Sequence, residues 1–292
     1  MTEKTASQTA ANAKASSPAP STSTQTQTPT KSAAGSPQPA SPKKVKASKA
    51  AHFVLQGKGG VGKTLVSNLL AQYLETTGVE VFCYDTDPVN HSLARIVALN
   101  VKKVPLYKDG TSDTDNRALD KMLSDMVQHP ATYVVDNGAS SFKPMSQHLI
   151  SDGSIELLLD MDFSVVLHLV VSTGPELEMT ISGVAGILDS VADTSVPVVV
   201  WINEKGGSFE EQTGTDFEGS AFYNEYKSQI AGVVTIPALP KASRGIFETM
   251  LNNKLTFDEA ESSDTFYVIE QKRLGKLKES FYASIENGLE GV

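Results

Sequence analysis

The chain alternates between short continuous apolar runs and segments whose apolar residues recur every three or four positions. The first pattern is typical of buried strands and the second of amphipathic helices. The runs that predict strands are residues 52–56, 79–84, 132–135, 165–171, 196–202 and 233–236. The segments that predict helices begin at Lys63 and near Ala118 and cover residues 174–191 and 266–289.

Strands that alternate with helices favour a parallel sheet, because parallel strands are joined by crossover connections that are usually helical. Several predicted strands are apolar throughout, as expected where helices cover both faces of a sheet. The pattern therefore predicts an α/β fold with a doubly wound, mostly parallel sheet flanked by helices. Ligands bind such sheets beyond the carboxyl ends of the strands.

The first 50 residues differ from the rest in composition and charge. They are rich in Ala, Ser, Thr, Pro and Lys, and their seven Lys and one Glu give a charge of +6. Residues 51–292 contain 18 Lys and Arg and 33 Asp and Glu, a charge of −15. A segment with so little apolar surface cannot offset the entropy cost of ordering it. We therefore predict a disordered tail over residues 1–50 and one folded domain over residues 51–292.

Cysteine content and hydropathy narrow the class of protein further. Cys83 is the only cysteine, so no disulfide can form within the chain, and its apolar neighbours in sequence favour a core position. No apolar run reaches the roughly 18 residues of a membrane span. These features are typical of a soluble cytoplasmic protein.

A glycine-rich segment, LQGKGGVGKT, lies between the first predicted strand and the first predicted helix. It fits the phosphate-binding pattern G-x-x-x-x-G-K-[ST], in which Lys63 is expected to reach the β- and γ-phosphates and Thr64 to bind Mg²⁺. Glycines let the backbone turn its N–H groups toward phosphate oxygens. The residues predicted to bind nucleotide here are Gly57, Lys58, Gly59, Gly60, Val61, Gly62, Lys63, Thr64 and Leu65. The pattern does not require Lys58.

Acidic residues follow two other predicted strands. Asp85 and Asp87 belong to the segment DTDP after the second strand, and Asp136 ends the run TYVVD. Carboxylates at strand ends beside a magnesium nucleotide can hold the water shell of the metal and orient the attacking water. A polar turn that Pro88 ends, and a helix N-cap at Asp136, are the alternative interpretations.

These three segments, in this order, resemble the ParA/MinD superfamily of ATPases. The resemblance rests on KGGVGKT, whose extra lysine marks a deviant Walker A motif, on DTDP and on TYVVD, and it covers roughly residues 51–250. The chain is also similar to the TraL family of conjugative plasmids, over nearly everything after the tail. That similarity is found in the segments VLQGKGGVGKT, DTDPVN, VDNGASSF, WIN, IPAL and LTFDEA.

The superfamily resemblance implies a P-loop NTPase fold that binds ATP and Mg²⁺. It implies two monomers that enclose two ATP molecules face to face, with Lys58 of each crossing to the nucleotide of the other. Asp87 would orient the attacking water and act with Lys58 and Lys63 in slow hydrolysis. The similarity to TraL implies a role in conjugative DNA transfer, together with other transfer or partition proteins.

The resemblance also implies the remaining ligand contacts. Thr64, Asp85 and Asp136 would lie around Mg²⁺, and the residues that would face the adenine are Asn203, Pro237, Ala238 and Leu239. The chain departs from the partition ATPases after Asp136, where Asn-Gly-Ala replaces a proline pair, and after Pro88, where Val-Asn follows. These departures concern the coupling of hydrolysis to a conformational change rather than nucleotide binding.

Several interpretations remain open. A ParA-type DNA-partition ATPase and a non-hydrolysing nucleotide-binding scaffold are the alternative functions. The tail lysines, or a basic turn at Lys272, Arg273, Lys276 and Lys278, could contact nonspecific DNA or a membrane, although the negative domain opposes this. Residues 203–225, acidic and glycine-rich, indicate a solvated loop or a lid. The expected location is cytoplasmic, or peripheral at a membrane-bound transfer complex.

Overall fold

The computed structural model describes residues 49–107 and 115–292; residues 1–48, nearly all of the predicted disordered tail, lie outside this part. The strands are β1 Ala50–Leu55, β2 Val81–Asp85, β3 Lys102–Lys103, β4 Thr132–Asp136, β5 Ser164–Ser172, β6 Val198–Asn203 and β7 Ile230–Ile236. The α-helices are α1 Lys63–Thr76, α2 Asn116–Gln128, α3 Phe142–Ser146, α4 Ser154–Asp160, α5 Leu177–Ser190, α6 Phe209–Thr213, α7 Ala221–Tyr226, α8 Lys241–Asn252, α9 Phe257–Ser262 and α10 Val268–Leu289. β1 thus begins at the last residue of the predicted tail.

The described strands form a parallel sheet in the order β3-β2-β4-β1-β5-β6-β7. β1 lies in the middle, between β4 and β5, and the chain completes the β2–β4 side before it crosses to β5. Loops that leave the carboxyl end of β1 and its neighbours therefore diverge, which opens a crevice at that edge. The predicted doubly wound α/β fold is confirmed.

Helices cover both faces of the sheet, and the strand side chains alternate between two hydrophobic clusters. On β1, Phe53 and Leu55 pack with residues of α2 to α6, whereas Val54 packs with residues of α1 and α8 to α10. On β6, Val200 and Trp201 divide in the same way. Burial on both faces explains the continuous apolar runs and gives the loops a rigid base.

The acidic segment 203–225 is not the open solvated loop that its composition indicates. It contains α6 and α7, and the buried rings of Phe209 and Phe217 have centroids 5.4 Å apart. A capping box between Ser208 and Glu211 starts α6. Two aromatic anchors and a helix cap therefore outweigh the polar composition of this segment.

The last helix, α10, docks on the rest of the domain. Leu274, Phe281 and Ile285 are buried in the cluster that α1, α8 and α9 share, and Lys278 pairs with Asp258 of α9. Lys272 remains exposed on the outer face. Among the described residues, no helix is both long and apolar enough to cross a membrane.

Two buried histidines form a hydrogen-bonded chain inside the sheet. Nε1 of Trp201 donates to Nδ1 of His168 at 2.9 Å, and Nε2 of His168 lies 2.9 Å from Nδ1 of His52. Because an indole N–H only donates, His168 must accept at Nδ1 and donate to His52 from Nε2. Burial lowers the pKa of His52 to about 4, and burial together with the neighbouring His52 lowers that of His168 well below its ordinary value.

We expect this pair to make the fold sensitive to acid. The unfolded chain takes up protons near the ordinary histidine pKa of 6.5. In the folded chain His52 does so only near pH 4, and the pKa of His168 is also well below its ordinary value, so stability falls as the pH drops below 6.5. Between pH 7 and pH 5 the loss should be about 2 kcal/mol for each histidine. Urea unfolding of the wild type and of His52→Gln/His168→Gln measures it, because all other titrating groups are common to both proteins. Equal pH dependence in the two proteins would contradict the prediction.

Candidate functional site

The loop between β1 and α1 is anchored by one buried side chain, Gln56. Its side-chain oxygen accepts the backbone N–H groups of Gly57 and Lys58 at 2.8 and 3.4 Å. Its side-chain nitrogen donates to the carbonyl groups of Val170 on β5 and Thr180 on α5, at 2.8 and 3.1 Å. Gln56 therefore fixes the start of the loop to the neighbouring strand and helix. The phosphate-binding pattern begins only at Gly57 and does not require this residue.

Further along the loop, side chains bind the backbone carbonyl oxygens. Nζ of Lys63 donates to the carbonyl of Lys58 at 2.8 Å, and Nζ of Lys205 donates to that of Gly60 at 2.8 Å. Nδ2 of Asn203 donates to the carbonyl of Val61 at 2.9 Å. Within the described part of the chain, the consecutive backbone N–H groups from Gly59 to Leu65 donate to no acceptor. Unpaired N–H groups at the start of a helix form a binding surface for an anion.

The two lysines of the loop differ in burial and in hydrogen bonding. Lys63 is 7% exposed, and burial lowers its pKa although Asp136 and Asp87 act in the opposite direction. Its ammonium group bonds to the carbonyl of Lys58. The side chain of Lys58 itself is partly exposed and has no ion pair or hydrogen bond with any residue that the structure describes. Lys58 is thus the cation of the loop that remains available.

Asp136, at the end of β4, joins the sheet to α1. Oγ1 of Thr64 donates to its Oδ2 at 2.7 Å, and Oγ of Ser67 donates to its Oδ1 at 2.9 Å. Burial raises the pKa of Asp136 to about 7; the hydrogen bond from Thr64 opposes the rise, and the carboxylate of Asp85 adds to it. Asp85 and Asp136 are register partners on β2 and β4. A cation beside Asp136 would favour its ionised form.

Asp85 and Asp87 use their carboxylates differently. Asp85 is fully buried, and its two oxygens accept the N–H groups of Asp87 and Ala94 at 2.9 and 3.0 Å. Oδ1 of Asp87 accepts the N–H groups of Val89 and Asn90 at 2.9 and 3.1 Å. Although partial burial acts to raise it, these hydrogen bonds hold the pKa of Asp87 below its ordinary value. Asp85 thus shapes the turn that presents Asp87, and its role as a metal ligand stays a prediction.

The phosphate loop, the Asp87 turn and the segment after β4 surround a cavity of about 550 Å³. The residues that line it are Gly59, Gly60, Gly62, Lys63, Thr64, Asp87, Val89, Asn90, Ser92, Asn137, Ala139 and Ser140. The structure thus brings most of the predicted loop residues together with Asp87 in one concave site. Asp136 lies behind this lining and contacts it through Thr64.

The residues predicted to face the adenine are not part of this lining. Asn203 is 4% exposed and donates to the carbonyl of Val61 in the loop, and residues 237–239 follow the end of β7. Glu204, which has no motif signal, joins the ends of β6 and β7. Its carboxylate accepts the N–H groups of Phe209 and Ala238 at 2.8 and 3.2 Å. The adenine contact stays a prediction.

The donor set of the site fits a magnesium nucleotide. Unpaired N–H groups and Lys63 suit phosphate oxygens, and the hydroxyl of Thr64 beside buried carboxylates suits a hard cation. Across residues 49–107 and 115–292, no group of three or more His, Cys, Asp or Glu side chains could hold a metal ion. Mg²⁺ usually keeps several waters and is bound by one or two carboxylates together with substrate phosphates, so it does not require such a group.

A glycine loop between β1 and α1, with a carboxylate at the end of β4 bonded to the loop threonine, defines a P-loop nucleotide-binding protein. A family profile described as "CobQ/CobB/MinD/ParA nucleotide binding domain" matches residues 52–244. The chain belongs to this family.

The chain also matches two relatives and a solved structure. Two relatives from Escherichia coli, each named Protein TraL, are 38% identical over 237 residues and 34% identical over 236 residues. These matches cover 81% and 80% of this chain, and 97% and 96% of the relatives, so the resemblance to TraL is confirmed. The structure of the MinC:MinD cell division protein complex from Aquifex aeolicus matches 80% of this chain and 96% of the solved chain. Its identity is 15% and its TM-score 0.48.

Substitution of Gly62 measures how strictly the loop conformation is constrained. It has a φ of 104°, and a Cβ added there would lie 2.4 Å from Nδ2 of Asn203. We expect Gly62→Ala to lower the free energy of unfolding by roughly 1–3 kcal/mol, because backbone strain adds to the clash. Gly186→Ala is the control: it is exposed on α5 with nothing within 4 Å of the added Cβ, and it should stabilise by about 0.5–1 kcal/mol. Urea unfolding that shows Gly62→Ala as stable as the wild type would refute the strain argument.

Proposed function

We propose that the chain is an ATP-binding switch protein that dimerises around two ATP molecules and hydrolyses them slowly. The observation that carries the proposal is the contrast between the two lysines of the loop. Lys63 bonds back to its own loop, whereas the side chain of Lys58 has no partner within the described part of the chain. An unpaired cation beside a phosphate site is suited to an anion that a second molecule brings.

In this proposal the loop binds the phosphates of ATP. The N–H groups from Gly59 to Leu65 donate to phosphate oxygens, and Lys63 exchanges the carbonyl of Lys58 for the β- and γ-phosphates. Since burial lowers the pKa of Lys63, an anion beside it favours the charged form. Thr64 would hold Mg²⁺, with Asp85 and Asp136 behind it, and the metal would neutralise charge on the phosphates.

Lys58 then acts on the nucleotide of the other protomer. A cation at the transferring phosphoryl group can raise turnover by orders of magnitude. The same contact makes the dimer depend on ATP, because a loop without nucleotide offers Lys58 no anion. Binding of ATP to the loop would therefore also allow a second copy of the chain to bind.

Asp87 is the residue that we expect to orient the attacking water. It lines the cavity, and hydrogen bonds from its own turn hold its pKa below the ordinary value, so the carboxylate is ionised. Its Oδ2 accepts only the side-chain amide of Asn90, at 3.3 Å, among the contacts in the described residues. An ionised oxygen with a long single contact can accept a hydrogen bond from water.

We place this switch in conjugative DNA transfer because the similarity to the TraL proteins spans nearly the full length of both relatives. Its partners would be other transfer proteins, met in the cytoplasm or at a membrane-bound transfer complex. A partition function would instead require DNA binding that appears only with ATP and weakens steeply with salt. The lysine-rich tail, outside the described residues, could add nonspecific contact to DNA or membrane.

One observation favours a second candidate, a nucleotide-binding scaffold that does not hydrolyse ATP. Among the residues that the structure describes, the hydrogen bonds to the Asp87 carboxylate all come from its own turn, at Val89 and Asn90. A carboxylate used in this way stabilises the turn whether or not water is ever activated. In this candidate, bound ATP would be a structural ligand.

Solution mass in the presence of ATP and Mg²⁺ tests the dimer. By light scattering, we expect the wild type to shift toward the mass of a dimer and Lys58→Ala to remain a monomer that still binds ATP. Lys63→Ala is the matched control, because it removes an ammonium group from the same loop but should lose ATP affinity itself. A wild type that binds ATP without any change in mass would favour the scaffold.

Turnover of Asp87→Ala separates the enzyme from the scaffold. Loss of the residue that orients water should lower ATP hydrolysis by about 100-fold or more while ATP binding is retained. Asn90→Ala, which removes a side-chain donor to this carboxylate but leaves Asp87 itself in the cavity lining, should have a much smaller effect. Phosphate release that is as fast in Asp87→Ala as in the wild type would remove Asp87 from the mechanism.

A further inference from the structure

Asn137, which follows the carboxylate at the end of β4, has an unusual hydrogen-bonding state. It is 1% exposed and belongs to the lining of the cavity. Its Oδ1 accepts the hydroxyl of Ser141 at 2.6 Å, so Nδ2 points away from Ser141. Within the part of the chain that the structure describes, Nδ2 has no hydrogen-bond partner. The side chain of this lining residue therefore carries a buried donor without a partner among the described residues.

An unpaired buried donor destabilises the folded state, so folded proteins keep few of them. Asn68 on α1 shows that such a donor does not by itself indicate a ligand. Its Nδ2 is equally unpaired, and its Oδ1 accepts the side chain of Gln72 at 2.8 Å. Asn68 is not among the residues of the cavity lining, however. Asn137 differs from Asn68 because it belongs to the cavity lining.

The neighbours of Asn137 locate it at the terminal-phosphate end of the site. Asp136 before it binds the hydroxyl of Thr64, the residue type that reaches Mg²⁺ in a phosphate loop. Gly138 after it lies so close to Asp87 that an added Cβ would be 2.7 Å from the Cα of Asp87. Asn137 therefore stands between the groups expected at the metal and at the attacking water.

We propose that the side-chain amide of Asn137 donates a hydrogen bond to an oxygen of the terminal phosphate of a bound nucleoside triphosphate. The proposal rests on the nucleotide-binding function proposed above. A diphosphate lacks that oxygen, so the donor is satisfied only while the third phosphate is present. Asn137 thus makes the site discriminate triphosphate from diphosphate, and it gives the segment from Asn137 to Ser141 a contact that ends on hydrolysis.

Calorimetric titration of the full chain with Mg²⁺ and either ADP or the non-hydrolysable analogue AMPPNP tests this role. A hydrogen bond to a charged group contributes about 1.5–3 kcal/mol, so Asn137→Ala should bind AMPPNP about 10- to 100-fold more weakly and ADP nearly as well as the wild type. Asn137→Asp keeps the shape and the acceptor for Ser141 but lacks the donor, and its loss should be at least as large. Asn68→Ala, the matched control, should leave the ratio of the two affinities unchanged.

The outcomes separate this proposal from the function on which it rests. A wild type that binds neither nucleotide would overturn the proposed function, and the role of Asn137 with it. A wild type that binds both, with an affinity ratio that Asn137→Ala and Asn137→Asp leave unchanged, would overturn the role of Asn137 alone. Thermal unfolding without nucleotide identifies any variant that does not fold, and the other variant then decides.

Discussion

The binding character of this site depends on which way the peptide units of one loop are turned. A peptide N–H and its carbonyl point in opposite directions, so a donor that holds the carbonyl on one side presents the N–H on the other. Lys205, Asn203 and Lys63 hold three carbonyl groups of the loop, and Gln56 fixes its start. The N–H groups from Gly59 onward are therefore oriented by the fold itself, before any ligand is bound.

Two buried ionisable side chains beside the loop, Lys63 and Asp136, have charged forms that burial disfavours. Burial moves Lys63 and Asp136 toward their neutral forms, since it lowers the pKa of the lysine and raises that of the aspartate. An anion would favour the ionised lysine, and a cation would favour the ionised aspartate. A magnesium nucleotide brings both charges together, whereas a free nucleotide or a free metal ion supplies only one. The electrostatics of the loop thus favour the combined ligand.

The sequence was sufficient for the parallel sheet and the phosphate loop, because both depend on local patterns such as apolar runs and glycine spacing. It was not sufficient for Gln56, Glu204 or Lys205, whose roles arise from contacts between segments far apart in the chain. The substitution of Asn137 for a proline was visible in the sequence, but its unpaired amide was not. Likewise, the acidic composition of residues 203–225 indicated a solvated loop or a lid, and it did not predict α6 and α7. Phe209 and Phe217 anchor this segment.

Because β1 lies in the middle of the sheet, different residues approach the loop from its two sides. On the β5–β7 side, Asn203 and Lys205 hold the carbonyl groups of the loop, and Lys205 also lies 3.6 Å from Glu176 at the start of α5. On the β2–β4 side, strand ends carry the acidic residues and the segments that would meet the terminal phosphate. Loss of that phosphate would leave Asn203 and Lys205 in place behind the loop. Apart from Lys63, the groups that lose a partner would lie on the β2–β4 side. A switch in this fold is therefore expected to move the segments after Asp85 and Asp136 while the loop itself keeps its conformation.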